Sequence, residues 1–326
     1  MEYHIKTYTS GEELPKMTSR NFFHSATLFN VMKETSGESA CMAVAFTSDG
    51  NVAGHLMAMI YNRRSWLPPY IYSECRIYGE GDYEQEYQNE KEQIFGLMLH
   101  HLTRKLRRYP CLYIEVSGLP KKMFAYRFFR QCSYFPMQWQ EVHNSLHNKS
   151  PKDRITSKRI QRIQRAKENG VTTREASSKE EIDRFYDILK AHYRMNLRHH
   201  LPSRKQIERM SELAAVKIFV TVYKEKVIGG SICVYNEGNA YLWFQASKRK
   251  TYPFLHPSMV TVWNAIDYAY KHNYAHIIFM DVGLPFKRSV YRDFILSFGG
   301  KPVGTYRWFR ISIRLFNKIL AWMYKE

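Results

Sequence analysis

The sequence predicts an α/β protein, with a mixed sheet and packed helices, built from two tandem copies of one unit. Strand, turn and helix signals recur in the same order in each half, namely hairpin, third strand, helix and buried strand. The two hairpins also share small residues just past the turn, in GNVAGHLMAMIY and in EKVIGGSICVY. A strongly basic helical stretch separates the copies.

In the first copy, MAVAFTSDGNVAGHLMAMIY reads as two apolar strands around a Ser-Asp-Gly turn. WLPPYIYSECRIYGEG is aromatic and β-branched and then breaks at glycines, so it reads as a third strand. NEKEQIFGLMLHHLTRKLRRYP places Ile94, Leu97, Met98, His101 and Leu102 on one helical face. Acids lead that helix and bases end it before Pro110. CLYIEVSG follows as a buried strand.

The second copy repeats the plan. KIFVTVYKEKVIGGSICVYNEG is a strand pair around a Lys-Glu-Lys turn, and NAYLWFQAS is the third strand. HPSMVTVWNAIDYAYKHNY is a helix with Pro257 in its first turn. AHIIFMDVG is a buried strand ending at Asp281 and Gly283. Between the copies, Ile155, Arg159, Ile163 and Ala166 have helical spacing and Gly170 supplies a stop. A short strand, VTTRE, leads to an acid-led helix that ends among Arg194, Arg198, His199 and His200. The expected organisation is a domain at 1–148 and a domain at 149–326, with the basic helical linker at 149–170.

Charge is unevenly spread. Of the 326 residues, 1–148 carry 16 Lys+Arg against 15 Asp+Glu, whereas 149–326 carry 33 against 15. Almost all of the net +19 therefore lies in the second half. Such a field favours polyanionic partners: nucleic acid, phosphorylated small molecules or anionic lipid. With 44% hydrophobic residues and 24 Tyr, 19 Phe and 6 Trp, the chain can fill real cores, which argues against disorder. The five cysteines are scattered and form no CxxC pair, so buried thiols in a reducing compartment are expected. The first sixteen residues lack a basic segment followed by an apolar run, and no stretch of about 18 apolar residues occurs. A cytoplasmic protein is expected, with or without attachment to the inner face of the membrane.

This order of elements resembles the GNAT superfamily of acyl-CoA N-acyltransferases. More narrowly it is similar to the Fem-type (FemABX-like) aminoacyltransferases, which carry two such units in tandem. The likeness rests on RIQRAKENGVTTRE, HYRMNLRHHLPSR, KVIGGSICVYNEGNAYLWFQAS, HPSMVTVWNAIDYAY, HIIFMDVG and GLPFKRSVYRDFILSFGGKPV taken in order. It implies transfer of an acyl group from acyl-CoA, or an aminoacyl group from tRNA, to the primary amine of an anionic, cell-envelope type of precursor. It implies no metal. The alternative is a non-catalytic binder of nucleic acid or anionic lipid that keeps the fold.

Acetyl-CoA enzymes of the superfamily cradle pyrophosphate on an [Arg/Gln]-x-x-Gly-x-[Gly/Ala] loop at a helix N-terminus. Arg76-Ile77-Tyr78-Gly79-Glu80-Gly81 matches literally, but Asp82, Glu84, Glu86, Glu90 and Glu92 follow it; a turn at a sheet edge fits equally. In the second copy the same place has no glycine, but Lys248, Arg249 and Lys250 offer charge to a phosphate. Arg159, Arg162, Arg165 and Lys167 form a candidate polyanion contact, or else a solvated arm. The resemblance places basic residues toward the substrate at Arg194, Arg198 and His199. It also matches Phe286-Lys287 to a Phe-Lys pair whose lysine stabilises negative charge. Asp281, at the C-terminal end of a buried strand before a glycine, sits where α/β sheets hold ligands. Lys287 and Asp281 are the candidate catalytic pair, Phe286, Trp243 and Tyr306 are candidate substrate contacts, and Trp243, Phe244 and Tyr306 are the expected pocket walls. The last stretch, 307–326, is both apolar and basic. It reads either as a final strand and helix docked on the core or as a helix lying on an anionic membrane.

Overall fold

The computed structural model describes residues 2–35, 38–65, 70–107, 109, 111–193 and 201–324. Arg194, Arg198 and His199 therefore lie outside the described residues. The chain forms two compact units, Met1–Trp139 with Gly304–Glu326, and Gln140–Val303. The units thus divide at 139/140, against the 148/149 expected, and residues 304–326 group with the first unit.

The first unit runs β1 (His4–Thr9), α1 (Ala26–Lys33), β2 (Glu38–Phe46), β3 (Val52–Ser65), β4 (Tyr70–Tyr78), β5 (Asp82–Tyr83), α2 (Lys91–Leu106), β6 (Cys111–Leu119) and α3 (Tyr126–Gln131). The chain then passes through β7 (Phe135–Ser145) into α4 (Ser157–Glu168), β8 (Thr172–Glu175), α5 (Lys179–Tyr193), α6 (Arg204–Ser211), β9 (Val216–Tyr223) and β10 (Lys226–Asn236). It continues with β11 (Asn239–Ser247), α7 (Pro257–Lys271), β12 (His276–Gly283) and α8 (Val290–Leu296), and ends with β13 (Lys301–Ile311) and α9 (Arg314–Met323).

The two copies have the same strand order. In the first it is β1-β2-β3-β4-β6-β13, and in the second β8-β9-β10-β11-β12-β7. Only β4 with β6 and β11 with β12 run parallel; the other pairs with recorded register are antiparallel. In each unit the parallel pair is bridged by the long helix, α2 or α7, as a crossover requires. The sixth strand is where connectivity departs from a simple repeat. β7 follows α3 in sequence yet pairs with β12, and β13 follows α8 yet pairs with β6.

The turns explain why the hairpins form. Lys224 and Glu225 both have positive φ, 45° and 61°, between β9 and β10. Glu237 and Gly238, at 46° and 74°, do the same between β10 and β11. Paired left-handed residues match the twist of the flanking strands. In the first unit the core gathers Leu56, Ile60, Ile77, Ile94, Phe95, Met98, Leu99, Val116, Phe129 and Trp308. Trp308 stacks on Phe129 at 4.5 Å, so β13 supplies a central core residue. Gly96 is required there, because a Cβ would sit 2.2 Å from the Phe128 ring.

The second unit packs Phe219, Leu242, Val262, Trp263, Ile266, Ile277, Phe279, Ile295 and Phe298. Gly229 and Gly230 on β10 allow close approach from both faces. A Cβ on Gly229 would meet Thr261 Oγ1 of α7 at 3.2 Å, and one on Gly230 would meet Phe185 of α5 at 2.8 Å.

The final stretch is a strand followed by a helix. Phe309 and Arg310 belong to β13, and the helix begins at Arg314, as in the strand-and-helix reading of 307–326. Arg310 Nε donates to the Cys132 carbonyl at 3.1 Å.

Candidate active site

The parallel ladder of the second unit ends early. β11 pairs with β12 from Asn239↔His276 to Leu242↔Phe279, after which β11 runs on to Ser247 and β12 to Gly283. Past Leu242 and Phe279 the strands part and no longer pair with each other. The register of β12 against β7 also shifts between Phe279 and Gly283, with Asp281 at φ +63° inside the irregular stretch. Asp is among the few residues that tolerate this conformation, and such a bulge re-aims a side chain.

Around this opening stand Tyr193 from the end of α5, Gln245 from β11 and Tyr291 from α8. Tyr193 Oη donates to the Gln245 carbonyl at 3.4 Å, and its ring meets Phe244 edge-on at 6.1 Å. Burial pushes the Tyr193 phenol up to about 12, the hydrogen bond to Gln245 pulls it back, and the Asp281 charge raises it. Tyr291 is raised by burial first, then by Tyr193 and Asp281, with its bond to Gln245 opposing. The Asp281 carboxylate thus acts on two buried phenols that stay protonated at neutral pH.

Beside the opening lies a cleft of about 980 Å³. α5 contributes Arg184, Asp187, Ile188, Ala191 and His192; β10 contributes Lys226 and Val227; the end of β11 and its loop contribute Ser247, Lys248, Arg249, Lys250 and Thr251. Five basic side chains face one carboxylate, and that carboxylate, Asp187, is already bound by Arg204 at 2.7 Å. Lys248, Arg249 and Lys250 are brought together as the sequence suggested. Ser247 Oγ lies 2.5 Å from Ser258 Oγ in the first turn of α7, so the N-terminus of α7 adjoins the cleft rim. That helix has Pro257 at its start, left-handed His256 before it and no side-chain cap. Its positive end is therefore not quenched by a capping side chain.

The other candidates are scattered. Lys287 is exposed in the turn after β12, and Phe286 is 74% exposed beside it. Arg292 clamps this turn, donating to the Leu284 carbonyl at 2.7 Å and the Lys287 carbonyl at 2.8 Å. Trp243 is half-buried on β11, 5.4 Å from Phe244. Tyr306 belongs to the first unit, opposite Leu119 of β6, and the cleft is lined without it. On α4, Arg162, Arg165 and Lys167 are exposed, and the Arg162 charge reaches His256, whose ionisation falls through burial first and Arg162 second. Arg159 does something different from its neighbours. Its guanidinium packs over Phe298 at 4.9 Å and Phe294 at 5.7 Å, and burial lowers its pKa. Tyr193, Tyr291 and Arg292 were given no role from the sequence, since only the strand parting reveals what they surround.

The first unit has no such opening at its corresponding pair. There β4 and β6 stay paired from Ser73↔Cys111 to Tyr78↔Ser117, and the Gly79 N–H extends the contact to the Ser117 carbonyl at 2.7 Å. Arg76 is buried with its Nε 3.8 Å from Glu115, which also holds Arg307 at 2.7 Å. Gly79 and Gly81 form a left-handed turn, and Asp82 takes the Arg20 and Asn21 N–H groups at 2.6 and 2.8 Å. The literal phosphate-loop string is thus a turn whose parts are bound internally. No cluster of three or more His, Cys, Asp or Glu side chains suited to a metal is found among the described residues. No helix among them is long and apolar enough to cross a membrane.

Comparison with known proteins agrees with this geometry. Residues 154–288 match the family model of the acetyltransferase (GNAT) domain, which spans the cleft, the parted strands and Asp281. No curated protein sequence matches the chain. Among solved structures, FemX superposes with a TM-score of 0.61 at 10% identity, over 92% of this chain and 94% of that one. L-PGS from Bacillus licheniformis gives 0.57 at 11% identity, over 93% of each chain. A tandem GNAT protein from the clavulanic acid biosynthesis pathway gives 0.55 at 9% identity, over 85% of this chain and 84% of that one. At these identities the likeness is one of fold. The chain has a tandem GNAT fold, and residues 154–288 of its second unit match a GNAT acetyltransferase domain.

Proposed function

We propose that the second unit joins an acyl group, delivered on a phosphate-bearing carrier, to a primary amine at the parted strands. The carrier is acyl-CoA or aminoacyl-tRNA, and both bear phosphates and an activated carbonyl, a thioester or an ester, on one molecule. The observation that carries this reading is the basic cleft lying directly beside the parting of β11 and β12. Lys248, Arg249, Lys250 and Lys226 attract the carrier's phosphates, and the uncapped end of α7 adds to the same field. The carbonyl then reaches the gap, where backbone N–H groups of β11 hold the developing oxyanion.

The amine nitrogen attacks the carbonyl carbon, and the C–N bond forms as the carbonyl π pair moves to oxygen. Asp281 takes the proton from the nitrogen. The oxyanion collapses and expels the carrier's thiolate or alkoxide. Tyr193, held protonated by burial, supplies the proton to that leaving group. Lys287 contacts an anionic acceptor in this reading, supported by its exposure on a turn that Arg292 holds. An amine-bearing, anionic envelope precursor suits this distribution of charge.

The test compares stabilisation of the whole chain by acyl-CoA and by aminoacyl-tRNA, since a ligand of the native state raises its melting temperature. The true carrier should stabilise the wild type, and replacing Lys248, Arg249 and Lys250 together by Ala should weaken its binding by about 5- to 150-fold, from roughly 0.3–1 kcal/mol per exposed ion pair. Lys287→Ala should abolish transfer while leaving the fold intact. Carrier affinity unchanged in the triple variant would overturn the assignment of the cleft. Anion binding without any transfer would favour the non-catalytic alternative.

A further inference from the structure

The last helix is attached to the first unit along one narrow edge. Asn317 is buried; its Nδ2 donates to the Ser133 carbonyl at 2.9 Å and its Oδ1 accepts the Ile311 N–H at 2.8 Å. Tyr324 stacks on Phe135 with centroids 5.8 Å apart. At about 100° per residue, Leu315, Phe316, Ile319, Trp322 and Met323 share the opposite side. All five are exposed, from 46% at Ile319 to 74% at Trp322. The usual order of an amphipathic helix is therefore reversed here: the polar edge faces the protein and the apolar face looks outward.

The surroundings of this face are positive. Arg314 and Lys318 are exposed along one margin of the apolar stripe. Arg310 lies close enough to Arg107 and Arg314 for their charges to depress its ionisation, after the larger effect of burial. Residues 309–324 hold three basic side chains and no acid. A protein partner for an apolar stripe could carry any charge, but a basic rim around exposed Trp, Phe and Leu matches the layered chemistry of an anionic bilayer surface.

We propose that α9 lies in the headgroup layer of an anionic lipid membrane, with Leu315, Ile319 and Trp322 inserted and Arg314 and Lys318 at phosphate level. The helix has 10 residues, far short of the length needed to span. This is interfacial docking, and it holds whether or not the second unit performs the transfer proposed above.

The test mixes the full chain with vesicles of phosphatidylcholine alone or with about 30 mol% phosphatidylglycerol, and reads sedimentation and tryptophan emission. The chain should pellet with the anionic vesicles more than about tenfold better, and about 0.5 M salt should weaken that binding. The pair Ile319→Glu and Trp322→Glu should lose it by a similar factor at an unchanged melting temperature, because neither side chain packs inward. Trp322→Phe should remove the blue shift while leaving most of the binding. Equal pelleting of wild type and the double variant would overturn the proposal, and so would absence of binding to either vesicle. A wild-type dimer that the double variant turns into a monomer, without vesicle binding, would assign the face to a second copy instead.

Discussion

Replacing Asp281 by Asn removes one charge at almost constant volume, and the structure sets what should follow. At φ +63° the residue is left-handed, a conformation Asn tolerates as well as Asp, so the irregular stretch of β12 should persist. The melting temperature should therefore stay within about 2 °C of wild type. The charge now acting on Tyr193 and Tyr291 disappears. Tyr193, held at about 12 by burial and by Asp281 against the pull of its hydrogen bond to Gln245, should titrate lower, and Tyr291 should move the same way. If Asp281 accepts the amine proton, kcat should fall by about 10²–10⁴, or roughly 3–5.5 kcal/mol of barrier. Single-turnover transfer to a soluble amine gives the rate, and NMR of ring-labelled tyrosine gives the titration. A downward shift of both phenols with kcat within about threefold of wild type, well under the contribution of a general base, would refute the proton-acceptor role. Asp281→Ala is the poorer probe, because it adds about 1–2 kcal/mol of left-handed strain to the loss of charge.

Two further predictions concern stability. His24 is fully buried, its Nδ1 accepts the Met57 N–H at 3.0 Å, and burial, with His55 second, lowers its pKa from 6.5 to about 3. Below pH 6.5 the unfolded chain takes up a proton that the native state refuses, so stability should fall by about 1.4 kcal/mol per pH unit as pH drops toward 3. Urea unfolding at several pH values should show this loss, and His24→Asn should reduce the slope by one proton; an unchanged slope would contradict it. Gly230→Ala should destabilise by about 1–3 kcal/mol, because the new Cβ meets the Phe219 carbonyl oxygen at 2.4 Å, where backbone cannot yield. A denaturation midpoint equal to wild type would show that β10 and its neighbours can move apart.

Much of the fold was legible because it is written locally. The strand alternation, the Lys-Glu-Lys turn and the acid-led, base-ended helix near 91–106 are short-range signals, and each lies where the pattern put it. What was not legible is pairing across long sequence separations. Nothing in TYRWFRI says that it completes the sheet beside β6, so a final strand was one of two readings there and Tyr306 was expected as a wall of the pocket. The site shows the same division. Lys248, Arg249 and Lys250 are adjacent in sequence and so remain adjacent in the cleft. Tyr193 and Tyr291 lie 98 residues apart and meet only because α5 ends and α8 begins at the same opening. The packing of Arg159 was not legible either, because charge alone does not distinguish a guanidinium over Phe298 from one in water.

The exchanged sixth strands have a consequence for synthesis. The N-terminal sheet cannot be finished when its own stretch of chain leaves the ribosome, because Trp308, which fills its centre, arrives nearly 170 residues after the Pro136–Trp139 stretch. Until then β6 presents an unsatisfied edge, a template for wrong pairing that a growing polypeptide must shield or outlast. Maturation of the early half is thus timed by translation of the late one, and a ribosome stalled before codon 304 would release a product with neither its closing strand nor its basic, apolar tail.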